Sequence, residues 1–242
     1  MKKYIRNYYE QLHQGKKGSK VSGVINGKSL AVEFGYPDGL IDRLPDEIWE
    51  EFLPCGNVLP YLHTKPGDRV LNLGCGSGVD SIVLRLRTGG ELTIVNLDAA
   101  ISALIKLRDL AKRFSPGPGF DYLCADGDCL PFRPDSFEWV ILNGVFNLFP
   151  EKGQLIAELY RVLKPGGVVA GADLCRNRIL PGYFASEPDA WAWCMSGALS
   201  RDELSKGFET GGFTKLAMVL ENMDEYFDRT VFAFQKSFFR QD

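Results

Sequence analysis

A glycine-rich turn after a short apolar segment constrains this chain more than any other feature. It lies in the stretch RVLNLGCGSGVD at residues 69–80. The segment from Val70 to Leu73 is typical of a buried strand, and the run from Gly74 to Gly78 predicts a tight turn into a helix. Because glycines allow positive φ and the following helix offers free N–H donors, a bulky ligand can approach the backbone there.

The spacing of these glycines argues against a dinucleotide cofactor. The dinucleotide-binding pattern G-x-G-x-x-G has its third glycine one position later, where this chain has Val79. A glycine turn of this kind also occurs as a purely structural element. Its interpretation therefore depends on the segments that follow it.

Two acidic residues follow the next two predicted strands. The segment from Leu92 to Leu97 ends at Asp98, about 20 residues past the glycine turn, where doubly wound folds place the acid that holds ribose hydroxyls. A third strand, Phe120–Cys124, leads to Asp126, which can accept a hydrogen bond from an adenine amine. Cys124 is expected to be buried in that strand. The two acids together favour an adenosine-containing ligand.

Helices and strands alternate along the rest of the chain. Apolar periodicity predicts core helices at 79–86, 101–114 and 151–163. This alternation predicts an α/β fold, a Rossmann-like, seven-stranded, mostly parallel sheet that ends with antiparallel strands at 212–220 and 230–236. The ligand crevice is expected beyond the C-terminal ends of the strands. The buried face of the second core helix is expected to consist of Ile101, Leu104, Ile105 and Ala111.

Charge and composition exclude several classes of protein. The chain has 242 residues and a formal net charge of -3, without a basic run long enough for a nucleic-acid surface. No window approaches the roughly 18 apolar residues of a membrane span, and the charged start lacks the apolar core of a signal peptide. Six cysteines are too few for a disulfide scaffold in a chain of this length. We therefore expect a cytoplasmic protein with reduced thiols and without nucleic-acid or membrane partners; the oligomeric state is not indicated.

Four motifs in this order resemble the class I methyltransferases that use S-adenosylmethionine. They are LNLGCGSG, the acid Asp98, ADGDCLPF and RVLKPGG, and they lie within residues 69–173. The resemblance implies the class I methyltransferase fold, S-adenosylmethionine as cofactor, S-adenosylhomocysteine as product and a small-molecule methyl acceptor. The cofactor contacts that it implies are Gly74, Cys75, Gly76, Gly78, Asp98, Ala99, Asp126, Gly127 and Asn143.

A longer part of the chain is similar to a narrower family, the arsenite methyltransferases. The segments GYP and CGN before the glycine turn and LNGVFNLFPEKGQLIAELYRVLKPGG after it carry this similarity, which extends over about 34–236. In that family cysteine thiolates hold trivalent arsenic, a soft centre that favours sulfur ligands. The resemblance implies that Cys55 and Cys194 are candidate acceptor thiolates. The alternative interpretation is that both are small residues that fill space.

The set of thiols is incomplete in comparison with that family. Gly144 stands where the family has one of its two principal arsenic-binding cysteines, and the N-terminal cysteine pair of the family is matched only by glycine, serine and lysine within 15–27. Cys175, directly after the predicted fifth strand, is a further thiol that could reach the same opening. No resident metal is expected, because the two histidines, His13 and His63, lack metal-ligand spacing.

Two segments outside the sheet are expected to cover the site. We divide the chain into an N-terminal cap, residues 1–65, and a methyltransferase domain, residues 66–242, with an insertion at 175–200 after the fifth strand. The cap begins with an amphipathic helix at 4–14, interpreted either as simple packing or, as in many methyltransferases of this class, as a lid over the cofactor. Further expected elements of the cap are a glycine-rich loop at 15–28 and a helix at 45–52.

Three functions remain open at the level of the sequence. The first is arsenite methylation with a reduced set of thiols. The second is methylation of a small organic acceptor, in which Gly144 leaves room and aromatic side chains of the insertion line an apolar pocket. The third is a relative that binds the cofactor without turnover, suggested by Asn72, where most relatives have an acid. The aromatic side chains in question are Tyr183, Phe184, Trp191 and Trp193.

Overall fold

Seven strands form one sheet in the computed structural model, which describes residues 1–16, 27–115 and 117–238. The strands are β1 (Arg69–Leu73), β2 (Thr93–Asp98), β3 (Phe120–Cys124), β4 (Phe137–Asn143), β5 (Leu163–Arg176), β6 (Phe213–Asn222) and β7 (Phe227–Lys236). Their order is β3-β2-β1-β4-β5-β7-β6. Strands β1 to β5 are parallel, and β7 lies antiparallel between β5 and β6. The predicted Rossmann-like fold is confirmed.

Helices cover both faces of the sheet and extend into the segments before and after it. Those of the first half are α1 (Lys2–His13), α2 (Lys28–Glu33), α3 (Asp38–Ile41), α4 (Asp46–Trp49), α5 (Val79–Arg87) and α6 (Ile101–Phe114). Those of the second half are α7 (Lys152–Val162), α8 (Tyr183–Ser186), α9 (Pro188–Ala192) and α10 (Arg201–Thr210). Short 3-10 helices cover Leu59–Tyr61 and Phe146–Leu148. No described helix has the length and apolar character of a membrane span; the cytoplasmic location stays a prediction.

The alternation of side chains along β1 divides the core into two layers. Val70 packs into the layer that contains α5 and α6, and Leu71 packs into the layer that contains α7 and α10. Both residues are fully buried, because β1 pairs with β2 on one side and β4 on the other. The central strand is therefore covered on both faces, and its C-terminal end leads into the glycine turn.

The buried face of α6 differs from the predicted one. Leu104 and Ala111 are buried as predicted, but Ile101 and Ile105 are 49% and 46% exposed. Leu107 takes part in the buried face instead. At about 100° per residue, the two isoleucines fall outside the arc that the three buried residues occupy.

Three further expectations differ from the structure. Cys124 is exposed, because it is the last residue of β3 at the edge of the sheet. The helix expected at 45–52 ends at Trp49, where the Phe52 amide donates to the Trp49 carbonyl in a tighter turn. The insertion contains two short helices, α8 and α9, instead of being irregular throughout. Most of the expected glycine-rich loop, residues 17–26, lies outside the described residues.

An aromatic cluster around Phe208 holds α10 against the sheet. Its ring stacks on that of Phe234, with centroids 4.4 Å apart and planes at 6°, and the Phe232 ring lies 5.6 Å away. Phe208 is fully buried. A capping box between Ser200 and Glu203 begins the helix, so that α10 is fixed both at its start and along its buried face.

Phe208→Ala is expected to lower the free energy of unfolding by about 3–5 kcal/mol, because it leaves a cavity in the aromatic cluster. Urea unfolding followed by circular dichroism measures the change. Ile179→Ala is the control, since Ile179 is 87% exposed and its truncation should change the free energy by less than about 0.5 kcal/mol. Equal destabilisation in both variants would contradict the importance of the cluster.

Candidate active site

A cavity of about 450 Å³ lies at the edge where the parallel strands end. Its wall is formed by the glycine turn, the residues that follow β2, β3 and β4, and one side of α1. Parallel strands end at the same edge, so the sheet brings together residues that are distant in sequence. Eight residues predicted to bind the cofactor lie in this wall: Gly74, Cys75, Gly76, Asp98, Ala99, Asp126, Gly127 and Asn143.

Gly78, also predicted to contact the cofactor, lies outside the described cavity wall and packs against α6. It directly precedes α5 with a φ of 76°. A Cβ built on Gly78 would lie 2.1 Å from Cδ1 of Leu107 on α6. Glycine is therefore required there for the approach of two helices, and the residue is not part of the cavity wall.

Gly76 is the point at which the turn opens toward the cavity. Its φ is 51°, and the nearest atom to a Cβ built there would be Cε1 of His13 at 3.9 Å. At Gly74, by contrast, such a Cβ would lie 2.4 Å from Cγ2 of Val145. Packing explains the glycine at 74, whereas the free space at 76 allows a ligand to approach the backbone closely.

Asp98 is held in a fixed orientation at the end of β2. Its Oδ2 accepts a hydrogen bond from the Gly76 amide at 2.9 Å, and its Oδ1 accepts one from the Ala100 amide at 2.9 Å. Burial raises the pKa of the carboxyl, and these amide donors oppose that effect. Each carboxylate oxygen keeps further acceptor capacity, so Asp98 can still bind two neighbouring hydroxyls of a ligand.

Asp126 lies in the cavity wall, and the residue after it packs against an aromatic ring. Its Oδ1 accepts a hydrogen bond from the Asp128 amide at 3.2 Å. The next residue, Gly127, lies so close to Phe149 that a Cβ on it would be 2.6 Å from Cζ of that ring. An acceptor oxygen next to an apolar ring suits a purine, which combines a flat apolar surface with an amine donor.

Helix α1 forms one side of the cavity. Tyr9 and His13 are part of the wall. Glu10 joins α1 to α6, because its Oε2 accepts from the Ser102 amide at 3.3 Å and its carbonyl accepts from the Ser102 hydroxyl at 3.2 Å. The Tyr9 hydroxyl donates to the carbonyl of Ala192 on α9 at 2.7 Å. The helix is thus fixed to the main domain on two sides.

Glu51 is a third attachment point for α1, through His13. Its Oε2 lies 2.9 Å from Nδ1 of His13, and its Oε1 pairs with Nζ of Lys106 at 2.6 Å. Burial acts to raise the pKa of Glu51, but the hydrogen bonds from His13 and Lys106 outweigh it and keep the pKa below its ordinary value. His13 therefore has a structural role, through its contact with Glu51. No group of three or more His, Cys, Asp or Glu side chains among the described residues is arranged to hold a metal ion.

A buried carboxylate that we did not identify from the sequence lies deeper in the wall. Asp80 is 6% exposed. Its Oδ1 accepts from the Tyr36 hydroxyl at 2.6 Å, and its Oδ2 accepts from Nδ2 of Asn143 at 3.0 Å. Burial raises its pKa to about 6, although both hydrogen bonds lower it. The sequence feature that could have pointed to Asp80 is its position in the first turn of the helix that follows the glycine turn.

Asn143, at the end of β4, connects this carboxylate with the segment around Cys55. Its Nδ2 donates to the carbonyl of Gly56 at 2.9 Å, and its Oδ1 accepts from the Cys55 amide at 2.9 Å. Asn143 lies in the cavity wall as expected, but its side chain is hydrogen-bonded to protein groups on both sides.

Cys55 and Cys194 meet at Gly144. The Cys194 thiol donates to the Gly144 carbonyl at 3.3 Å, and a Cβ built on Gly144 would lie 3.6 Å from Sγ of Cys55. Gly144 is itself part of the cavity wall. Burial raises the pKa of both thiols well above the ordinary value, and the nearby carboxylate of Asp173 raises it further.

Asp173 is a second buried carboxylate that we did not assign from the sequence. Its Oδ2 accepts from the Asn147 amide at 2.9 Å, and its Oδ1 accepts from Nδ2 of Asn147 and from the Leu174 amide, both at 2.8 Å. Burial raises its pKa to about 6, and these donors together with the positive charge of Lys152 oppose the increase. The nearby thiol of Cys194 also acts to lower the pKa of Asp173.

Cys175 does not join the other two thiols. It lies within β5, which extends to Arg176, and it faces the layer that contains α7 and α10. Burial there raises its pKa to about 11. Neighbouring residues of a strand face opposite sides, so Leu174, not Cys175, packs with Cys194.

The aromatic side chains of the insertion do not form the expected acceptor pocket. Tyr183 and Phe184 stack on each other with centroids 4.7 Å apart. Trp193 meets the ring of Tyr8 edge-on at 6.2 Å and so supports α1 from outside. None of these three, nor Trp191, lies in the cavity wall as described.

A sequence model described as a methyltransferase domain matches residues 64–212. The chain belongs to this methyltransferase family. The predicted enzyme class, an S-adenosylmethionine-dependent methyltransferase, is confirmed, and so is the cofactor. The cavity fits that cofactor, because Gly76 leaves its backbone open while Asp98 and Asp126 present free acceptor capacity. The individual roles of these residues stay predictions.

Curated relatives of this methyltransferase include two kinds of enzyme. The arsenite methyltransferase of Halobacterium salinarum is 30% identical over 161 residues, which are 66% of this chain and 41% of the relative. That of Aquipseudomonas alcaligenes is 28% identical over 225 residues, 90% of this chain and 64% of the relative. The ubiquinone/menaquinone biosynthesis C-methyltransferase UbiE of Xanthomonas oryzae is 37% identical over 103 residues, 43% of this chain and 41% of the relative. The chain thus spans 41% to 64% of the length of these relatives.

Solved structures with the same fold include methyltransferases of different acceptors. CrArsM, an arsenic(III) S-adenosylmethionine methyltransferase from Chlamydomonas reinhardtii, has a TM-score of 0.68 and 24% identity over 81% of this chain and 71% of its own. A phosphoethanolamine N-methyltransferase of Haemonchus contortus, in complex with S-adenosylhomocysteine, has a TM-score of 0.64 and 17% identity over 76% of this chain and 54% of its own. These similarities concern the fold.

Asp98→Ala is expected to weaken the binding of S-adenosylhomocysteine about ten- to hundredfold. Hydrogen bonds with a charged partner contribute roughly 1.5–3 kcal/mol, which corresponds to one to two decades in Kd. Isothermal titration calorimetry measures the difference. Asp109→Ala, which removes an exposed carboxylate from α6, is the matched control. Unchanged affinity in Asp98→Ala would contradict the role of this carboxylate.

Proposed function

We propose that this methyltransferase acts on a small acceptor held at Cys55 and Cys194, and that trivalent arsenic is that acceptor. The observation that supports the proposal most directly is the meeting of both thiols at Gly144, a residue of the cofactor cavity wall. The arsenite methyltransferases among the relatives support it from the sequence.

Methyl transfer requires that the acceptor be enclosed and positioned close to the methyl group. S-adenosylmethionine supplies a methyl group on a positively charged sulfur, which a nucleophile displaces in line. An arsenic atom with a lone pair needs no general base, so the protein has to hold it close to the methyl carbon in a site without water. Sulfur ligands suit such a soft centre. Cys55 and Cys194 would be these ligands, and Tyr9, which lies near both and is partly buried, would close the site from α1.

The backbone of Cys194 supports a functional role over simple space filling. Its φ is 63°, and Asp135 is the only other non-glycine residue with positive φ in the described part of the chain. Such a conformation costs about 1–3 kcal/mol and is common at functional sites, where the surroundings require it. The Cys194 amide donates to the Trp191 carbonyl at 3.1 Å, which fixes this turn.

Two neutral thiols can bind arsenite without a separate base. For each of them an As–S bond forms, an As–O bond breaks, and the thiol proton leaves with the hydroxide as water. The high pKa of both thiols is compatible with this exchange, since no proton has to be released to solvent. A small thiol such as glutathione would supply the third sulfur that residue 144 lacks. We therefore expect weak activity.

A small organic acceptor is the second candidate. The missing side chain at Gly144 leaves space, and its neighbours Val145 and Leu148 give the cavity wall apolar character there. The UbiE relatives, which are C-methyltransferases by name, favour this alternative. The cavity of about 450 Å³ is in the range for a single drug-sized ligand. Because the cofactor would fill most of it, an organic acceptor would also have to be small.

Loss of turnover is the weakest alternative. Asn72, which suggested it, donates to the Ser81 hydroxyl at 2.8 Å, and that hydroxyl donates to Oδ1 of Asn96 at 2.6 Å. All three side chains are buried. Asn72 is therefore a satisfied member of a polar chain beneath the glycine turn.

Gly144→Cys is expected to raise arsenite-dependent turnover several-fold, because its sulfur would complete a set of three thiolates. A Cβ at this position would lie 3.2 Å from the Leu53 carbonyl and 3.6 Å from Sγ of Cys55, so only a small adjustment is needed. The positive φ should cost about 1–2 kcal/mol of stability. Cys194→Ser is expected to abolish the activity. Mass spectrometry of S-adenosylhomocysteine and methylated arsenicals measures both.

Two variants control for a change in thiol number. Gly153→Cys adds a thiol on α7, where a Cβ would meet nothing within 4 Å, and Cys129→Ser removes an exposed one. Both should keep the parent rate. Should Gly144→Cys and Cys194→Ser also keep it, with arsenite failing to protect Cys55 and Cys194 from alkylation, the acceptor is organic and not arsenic.

The division of the chain into a cap at 1–65 and a domain at 66–242 is also part of the proposal, with the insertion at 175–200 supporting the cap. The attachments of α1 to α6 and α9 support it. Removal of residues 1–14 should weaken S-adenosylhomocysteine binding about tenfold or more, because the upper wall of the cavity is lost. Calorimetry measures the affinity and circular dichroism checks the fold. If the truncated protein keeps full affinity and rate, α1 has a packing role only.

A further inference from the structure

The carboxylate of Asp80 faces the cofactor cavity without a cationic partner. It is buried in the wall, with hydrogen bonds from Tyr36 and Asn143 as its polar contacts. Its pKa is governed by burial and by these two neutral donors, and no cation of the described residues contributes to it. A buried ionised carboxylate is costly unless it is paired.

Two other carboxylates of the cavity wall, both partly buried, have their charge compensated in different ways. Glu51 has two basic partners, His13 and Lys106. Asp98 accepts backbone amide hydrogen bonds on both of its oxygens. Asp80 has a neutral donor on each oxygen and keeps further acceptor capacity, so it is the carboxylate at which a positive charge from a ligand would be most favourable.

We propose that Asp80 binds the α-ammonium group in the amino-acid part of S-adenosylmethionine. This rests on the identity of the cofactor. The cofactor has two cationic groups, the sulfonium and the ammonium. Only the ammonium carries N–H donors that can use the free lone pairs of a carboxylate. It is also kept in S-adenosylhomocysteine, so Asp80 would hold substrate and product cofactor alike.

The position of Asp80 beside the acceptor segment gives this contact a further consequence. Asn143 donates to Asp80 and accepts from the amide of Cys55. Tyr36, which donates to the same carboxylate, comes from the cap. A positive charge bound at Asp80 would therefore contact a carboxylate that Asn143 links to the segment around Cys55. Cofactor binding would in this way stabilise the position of that segment.

The test compares two ligands that differ in the amino-acid part. S-adenosylhomocysteine carries the ammonium, whereas 5′-methylthioadenosine is an adenosyl thioether without it. Asp80→Asn keeps the size of the side chain and removes its charge. It should weaken S-adenosylhomocysteine about ten- to hundredfold in calorimetry and leave the affinity for 5′-methylthioadenosine within about twofold of the parent value.

Two variants serve as controls. Asp126→Asn, in the expected adenine site, should weaken both ligands by the same factor. Tyr36→Phe removes one hydrogen bond to Asp80 but keeps the carboxylate, so the preference for S-adenosylhomocysteine should persist. If Asp80→Asn weakens both ligands equally, or neither, the proposed contact is wrong.

A ligand variant keeps the test independent of folding. Des-amino S-adenosylhomocysteine, which lacks only the ammonium, should bind the parent protein about ten- to hundredfold more weakly than S-adenosylhomocysteine does. Equal affinities would overturn the proposal even if Asp80→Asn cannot be produced in folded form. Failure of the parent protein to bind S-adenosylhomocysteine at all would instead reject the cofactor site as a whole.

Discussion

The side-chain amide of Asn143 joins the cavity wall at Asp80 to the segment that contains Cys55 and Gly56, and the rest of the site depends on this link. Its nitrogen donates to Asp80 and to the carbonyl of Gly56, and its oxygen accepts from the amide of Cys55. Asn143 is partly buried, and its amide satisfies both of its donors and its acceptor within the protein. The segment around Cys55 can therefore not move away from the cavity wall without breaking the hydrogen bonds that Asn143 makes to Cys55 and Gly56.

The topology of the sheet gives this amide its position. Asn143 ends β4, which lies between β1 and β5 in the sheet. The glycine turn follows β1 on one side, and Asp173 lies in β5 on the other. Because parallel strands end at one edge, a residue on the middle strand can contact both the cavity wall and the segment around Cys55.

The sequence predicted those parts of the site whose signals are local. The glycine turn and Asp98 could be located because each follows an apolar strand directly. Asp80 and Tyr36 are 44 residues apart, and no local pattern indicates that they share a hydrogen bond. Cys175 was placed wrongly for a different reason: β5 extends to Arg176, so strand alternation turns this thiol toward the opposite layer. Tertiary structure decides such contacts.

The contacts of Cys194 differ in how easily they can be exchanged. Asp173 is satisfied by three amide donors from Asn147 and Leu174 and is therefore a fixed part of the site. The thiol of Cys194 donates only weakly, at 3.3 Å, to the carbonyl of Gly144. An acceptor that offers a stronger partner for sulfur would displace that contact, while the amide donors from Asn147 and Leu174 keep the Asp173 carboxylate in place. Asp173 and its amide donors thus form a fixed surrounding for the Cys194 thiol, whose weak hydrogen bond an acceptor would have to replace.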